Sequence, residues 1–179
     1  KDEERLKKVI DEVRKRVEEN IRTNEDSLRK AEETLKRNIR KNEKSLEDAR
    51  REIEELIREI SDDEDLVREL EDVVRKIAEL VKRSVEESER LAKELRDLVK
   101  ESVDRSRKIL EDLERDVERG GKDVEKLIKK LRDLLEESHR LSEEVNRTLK
   151  RALDESHERS KEVDKRIEEM VERVRRKVK

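Results

Sequence analysis

Apolar residues in the first sixty positions fall on one helical face. Leu6, Ile10, Val13, Val17, Ile21, Leu28, Ala31, Leu35, Ile39, Leu46, Ala49, Ile53, Leu56 and Ile60 succeed one another mostly in steps of three, four or seven. That spacing stacks side chains along one stripe of a helix. The pattern breaks at Ser61-Asp62-Asp63-Glu64-Asp65, resumes at Leu66, Leu70, Val73 and Ile77, and runs on to Leu113 and Val117. After Gly120-Gly121 a third run begins near Asp123 and passes through Leu127, Leu131, Leu135, Val145, Leu149, Val163 and Ile167 to Val174. Helices are predicted over about 2–60, 63–118 and 123–177.

Both breaks carry turn chemistry. Ser61 with Glu64, or Asp62 with Asp65, can cap the second helix, and the acids there suit the positive end of its dipole. Glycine accepts the positive φ needed just past a helix end, which fits Gly120-Gly121. Connections this short force neighbouring helices antiparallel. Each apolar arc spans roughly 140° at 100° per residue, enough to touch two neighbours. The expected fold is therefore all-α: one antiparallel up-down-up three-helix bundle over residues 1–179, its long helices each roughly 85–90 Å.

A second, polar pattern overlies the first. Asn20-Ile21-Arg22-x-Asn24-Glu25-x-Ser27-Leu28 returns eighteen residues later as Asn38-Ile39-Arg40-x-Asn42-Glu43-x-Ser45-Leu46. Ser84-Val85-x-x-Ser88 returns as Ser102-Val103-x-x-Ser106, and Ser138-His139-x-x-Ser142-x-Glu144-Val145 as Ser156-His157-x-x-Ser160-x-Glu162-Val163. Eighteen residues make about five helical turns, so each repeated residue regains its face without supercoiling, which predicts nearly straight helices.

The repeated polar residues lie on or beside the apolar stripes. Folding at the two turns brings together positions whose numbers sum to roughly 125 on the first two helices and roughly 241 on the last two, by hairpin symmetry. One buried polar layer is then expected from Asn20, Asn24, Ser27, Ser102, Ser106, Ser138, His139 and Ser142. A second is expected from Asn38, Asn42, Ser45, Ser84, Ser88, Ser156, His157 and Ser160. Both would lie across the bundle, roughly 27 Å apart at 1.5 Å per residue. Buried polar groups without partners cost about 1–3 kcal/mol each. Asn, Ser and His both donate and accept, so correct alignment satisfies them and misalignment buries them against Leu and Val. The layers thus specify register at some cost in stability. Being alike, they do not forbid a slip of eighteen residues; that falls to the turns.

Composition narrows the origin of such a chain. It lacks Pro, Cys, Phe, Tyr and Trp entirely. At an average Pro usage of ~5%, its absence from a chain this long has a chance on the order of one in ten thousand. Charged residues are 58% and hydrophobic residues 30%, a balance typical of disorder, but here periodicity overrides it. The repeats, the SDDED and GG turns and this restricted alphabet together resemble de novo designed helical bundles with modular buried hydrogen-bond networks. The resemblance covers the whole chain. It implies high helicity and structural specificity, and no substrate.

Functional classes fall away in turn. With 50 basic and 53 acidic residues the net charge is −3, which gives no nucleic-acid or anionic-membrane footprint. The three helices carry different balances: 18 acids and 18 bases over 1–60, 20 and 14 over 61–119, 15 and 18 over 120–179. An acidic middle helix beside a basic third one favours their pairing. No apolar run approaches the roughly 18 residues of a membrane span, and no signal-peptide or other targeting pattern is present. No cysteine means no disulfide and no thiolate site.

Ser138-His139 and Ser156-His157 do not make a hydrolase, because helix neighbours point about 100° apart and no orienting acid accompanies them. One His per layer with Asn and Ser is a poor zinc set. Asn146-Arg147-Thr148 matches a glycosylation sequon by chance within a helix, and Met170 reads as core filler. No enzyme activity, metal or cofactor is expected. The leading expectation is a self-contained structural scaffold. Two alternatives stay open: an interaction module that self-associates or accepts a further helix, and a pH-responsive bundle in which buried His139 and His157 charge in acid.

Overall fold

The computed structural model describes residues 2–119 and 123–179. They form three helices: α1 (Asp2–Glu59), α2 (Glu64–Arg119) and α3 (Val124–Val178). The fold is an all-α three-helix bundle, with the helices packed against one another. Contacts divide the chain into two compact units. The first comprises residues 1–31 and 93–151, the second residues 32–92 and 152–179.

The helix starts follow from local chemistry. Asp63 caps α2, its Oδ1 accepting from the Leu66 backbone N–H at 3.1 Å. The capping residue is thus neither Ser61 nor Asp62, as the sequence suggested: both lie inside the turn that Asp63 N–H closes on Ile60 O at 2.9 Å. Asp123 caps α3 in the same way, accepting from Lys126 N–H at 3.2 Å. Such caps satisfy backbone donors that the first turn leaves without partners. The expected glycine turn at Gly120-Gly121 lies outside the described residues.

The pairings give the helix directions. In the first unit Asn20 meets Ser138 and Asn24 meets Ser142; in the second Asn38 meets Ser156 and Asn42 meets Ser160, always 118 residues apart. A constant difference means α1 and α3 run parallel. Partners on α2 and α3 instead keep a constant sum: 116 and 130 in the first unit, 87 and 159, then 69 and 177, in the second. These helices are antiparallel, and the sum of 246 exceeds the expected 241. Asn42 and Ser84 sum to 126 across α1 and α2, close to the expected 125.

The apolar stripes supply the interior of each unit. In the first, Val13, Val17, Leu95, Leu113, Leu131 and Val145 are almost wholly buried. In the second, Ile53, Leu70, Ile77, Ile167 and Val174 form one cluster, with Leu46, Val73, Val85 and Met170 packed around it. Aliphatic side chains dominate these cores, beside Met170 and the buried Asn and Ser residues; no large hydrophobic residue is exposed among the described residues.

Candidate functional site

The polar repeats define the only chemistry the sequence singles out. In the first unit Asn24, Ser102, Ser106, Ser138 and Ser142 are buried, while Asn20 and Ser27 are half-buried at the edge of the stripe. Ser142 Oγ donates to Asn24 Oδ1 at 3.1 Å. Asn20 Nδ2 donates to Ser138 Oγ at 3.0 Å and lies 3.4 Å from His139 Nδ1. These bonds tie α1 to α3. The α2 serines do not join them: Ser102 Oγ is buried without a hydrogen-bond partner among the described residues.

The second unit repeats this geometry and adds to it. Asn38 Nδ2 donates to Ser156 Oγ at 2.9 Å, as Asn20 does to Ser138. Asn42 occupies the centre. Its Nδ2 donates to Ser160 Oγ at 3.3 Å and Ser160 O at 3.2 Å, and its Oδ1 accepts from Ser84 Oγ at 3.3 Å. One amide therefore joins all three helices, which Asn24 does not do.

Asp164 is the residue that sequence reasoning missed. Its Oδ1 accepts from Asn42 Nδ2 at 2.9 Å and from Ser45 Oγ at 2.8 Å, and its Oδ2 lies 3.7 Å from Lys41 Nζ. The Asp164 side chain is only 23% exposed, so these contacts replace most of its water. An ionised acceptor makes both hydrogen bonds stronger than neutral ones. The sequence did hold a signal. Eighteen residues earlier the repeat carries Asn146 for Asp164 and Thr23 for Lys41, so the two layers differ by an ion pair.

The histidines do not sit as expected. His139 and His157 are both exposed and are not members of a buried layer. Each follows an inward-facing serine, and one residue rotates a side chain by about 100°; its ring swings out past the edge of the apolar stripe. His139 keeps the contact with Asn20. His157 makes none, and Ser27, Ser88 and Ser106 also form no side-chain hydrogen bond among the described residues. None of the α2 serines forms a hydrogen bond to α3 among the described residues.

Outside the layers, the most structured polar contact is a fork between α1 and α3 in the second unit. Arg175 Nε and Nη2 donate to the two Glu52 oxygens at 2.6 and 2.8 Å, and Nη1 reaches Glu172 and Glu168. The guanidinium's hydrogen bonding holds the Glu52 carboxyl below its ordinary range, against an opposing effect of burial, and the Coulomb attraction adds to it. Arg175 in turn is held protonated more firmly than a free guanidinium.

No group of three or more His, Cys, Asp and Glu side chains able to hold a metal occurs among the described residues, and no described helix is long and apolar enough to cross a membrane. No family model, curated protein sequence or solved structure matches this chain.

Proposed function

We propose that the chain is a de novo designed structural scaffold whose helix register is specified by its two repeated polar layers. The observation that carries this reading is the pair Asn24 and Asn42. Each sits at the same place in the repeat, each is 2% exposed, and each bonds a serine 118 residues along the chain. Two buried amides placed by one period reflect a rule, and their bonds link helices remote in sequence. Moving α3 by two helical turns against α1 would put Leu135 or Leu149 in the place of Ser142, and Leu153 or Ile167 in the place of Ser160, leaving both amides against aliphatic side chains at a cost of about 1–3 kcal/mol each. A simple alphabet of strong helix formers around such layers fits the same purpose. The reading assigns the chain no substrate, metal or cofactor.

The burial of the doubled apolar positions supports this reading over an interaction module. Doubled apolar positions such as Val73/Val74 and Ile109/Leu110 could have served a fourth helix, yet Ile109 is buried and Val73 and Val74 are half-buried within the existing packing. The pH-responsive alternative needed buried imidazoles, and both rings are exposed.

The test is the absolute solution mass, by light scattering behind size exclusion, over a wide concentration range. A constant value near 21.6 kDa is expected. A dimer, or a mass rising with concentration, would overturn the self-contained scaffold and favour the interaction module.

A further inference from the structure

In the first unit an open groove of about 520 Å³ runs between α1 and α2. Leu28, Val99 and Val103 form its floor. Its walls carry Arg22, Arg29, Arg96, Lys100 and Arg107, against Glu25 and Asp104 alone. Five cations and two acids leave a local charge of +3 in a chain whose net charge is −3. Arg29 pairs with Asp26 on its own helix. Arg22, Arg96, Lys100 and Arg107 make no ion pair among the described residues.

The eighteen-residue repeat provides an internal comparison. The floor recurs in the second unit's sequence as Leu46, Val81 and Val85. Arg22, Glu25 and Lys100 recur as Arg40, Glu43 and Lys82, and Asp104 recurs as Glu86. Three wall positions depart from the repeat: Arg29, Arg96 and Arg107 stand where the second unit has Glu47, Ala78 and Glu89. The same ten positions there hold two bases and four acids, a charge of −2, so the walls differ by five charges while the floor stays the same. Packing does not need this change, because all three altered arginines are exposed.

We propose that this groove is a binding site for a compact polyanion bearing several phosphate groups. The guanidinium groups of Arg22, Arg96 and Arg107, which no carboxylate engages, present planar forks that match phosphate oxygens in pairs. Lys100 adds a point charge, and the aliphatic floor excludes water from one side, which strengthens attraction to the walls. A docking helix would gain little, because Val99 and Val103 are only 2% and 8% exposed. The negative chain as a whole offers a polyanion no general attraction, so binding would be local.

The experiment is calorimetric titration of the full chain with inorganic triphosphate at low ionic strength, with orthophosphate as a second titrant. One-to-one binding of triphosphate is expected, clearly tighter than orthophosphate and weakened by added salt. Amide shifts in NMR spectra should centre on Leu28, Val99 and Val103. The variant Arg29→Glu/Arg96→Ala/Arg107→Glu copies the second unit's walls and should lose affinity on the order of tenfold or more. Should that variant lose helicity, Arg107→Glu alone should still weaken binding several-fold. Absence of binding to the parent overturns the proposal, as does equal affinity in a folded variant or shifts spread over both units.

Discussion

Asn24 and Asn42 stand in nearly the same sequence, yet they are bonded differently: Asn24 accepts one bond, from Ser142, whereas Asn42 donates to Ser160 and Asp164 and accepts from Ser84. Around Asn42, Ser84 donates to the amide oxygen and Asp164 accepts from the amide nitrogen. Around Asn24, the residue in the place of Ser84 is Ser102, whose hydroxyl is buried without a partner. Removing the two hydroxyls should therefore have opposite consequences. Ser84→Ala strips a donor from a buried carbonyl oxygen and should cost about 1–2 kcal/mol. Ser102→Ala removes an unpaired buried hydroxyl and should be neutral or stabilise by up to about 1 kcal/mol. Guanidinium unfolding of both variants beside the parent reads the difference. Equal losses would mean that Ser102 is bonded as Ser84 is.

At the scale of a helix, the inter-helix contact with a shifted carboxyl is the fork between Glu52 on α1 and Arg175 on α3. The Glu52 carboxyl is held below its ordinary range in the folded chain. A depressed carboxylate contributes stability that is fully present above its unfolded pKa and is lost as pH falls through the folded value. Glu52→Gln should then lower the melting temperature slightly at pH 7, as partly exposed ion pairs do. The gap between variant and parent should close in acid, below the ordinary glutamate range, and shrink in high salt. A gap that persists unchanged at low pH would show that Glu52 acts through packing instead. The helices themselves were legible in the sequence because period and turn chemistry agreed, and their ends differ from expectation by at most one residue. The cap of α2 was not, since Ser61, Asp62 and Asp63 are all good capping residues and only the turn closed between Asp63 and Ile60 selects among them. The inward serines and Asn24 and Asn42 were legible from their angles on the wheel. His139 and His157 were misplaced because an angle at the edge of the stripe does not decide which way a ring swings. Asp164 is one acid among 53, and only its departure from Asn146 in the repeat marks it.

At the scale of the whole molecule, the division into units falls inside all three helices, between 31 and 32, 92 and 93, and 151 and 152. Each unit holds its own buried aliphatic residues and its own polar layer, and every inter-helix hydrogen bond described above closes within one unit. Contacts organised by repeat make stability local, as in repeat proteins, while continuous helices pass strain along the backbone. Which of these prevails is measurable by a cavity placed in one unit. Leu113 in the first unit and Leu70 in the second are both wholly buried. Leu113→Ala or Leu70→Ala should each cost about 2–5 kcal/mol by the lost burial and the cavity left behind. Native-state hydrogen exchange should then speed up chiefly within the unit that carries the cavity: residues 2–31 and 93–151 for Leu113→Ala, residues 32–92 and 152–179 for Leu70→Ala. A local response means that each layer guards the register of its own unit, so a second layer adds specificity that the first cannot supply. A uniform rise in exchange along all three helices would mean instead that the helices couple the units into one cooperative transition, and that either layer alone suffices to hold the register.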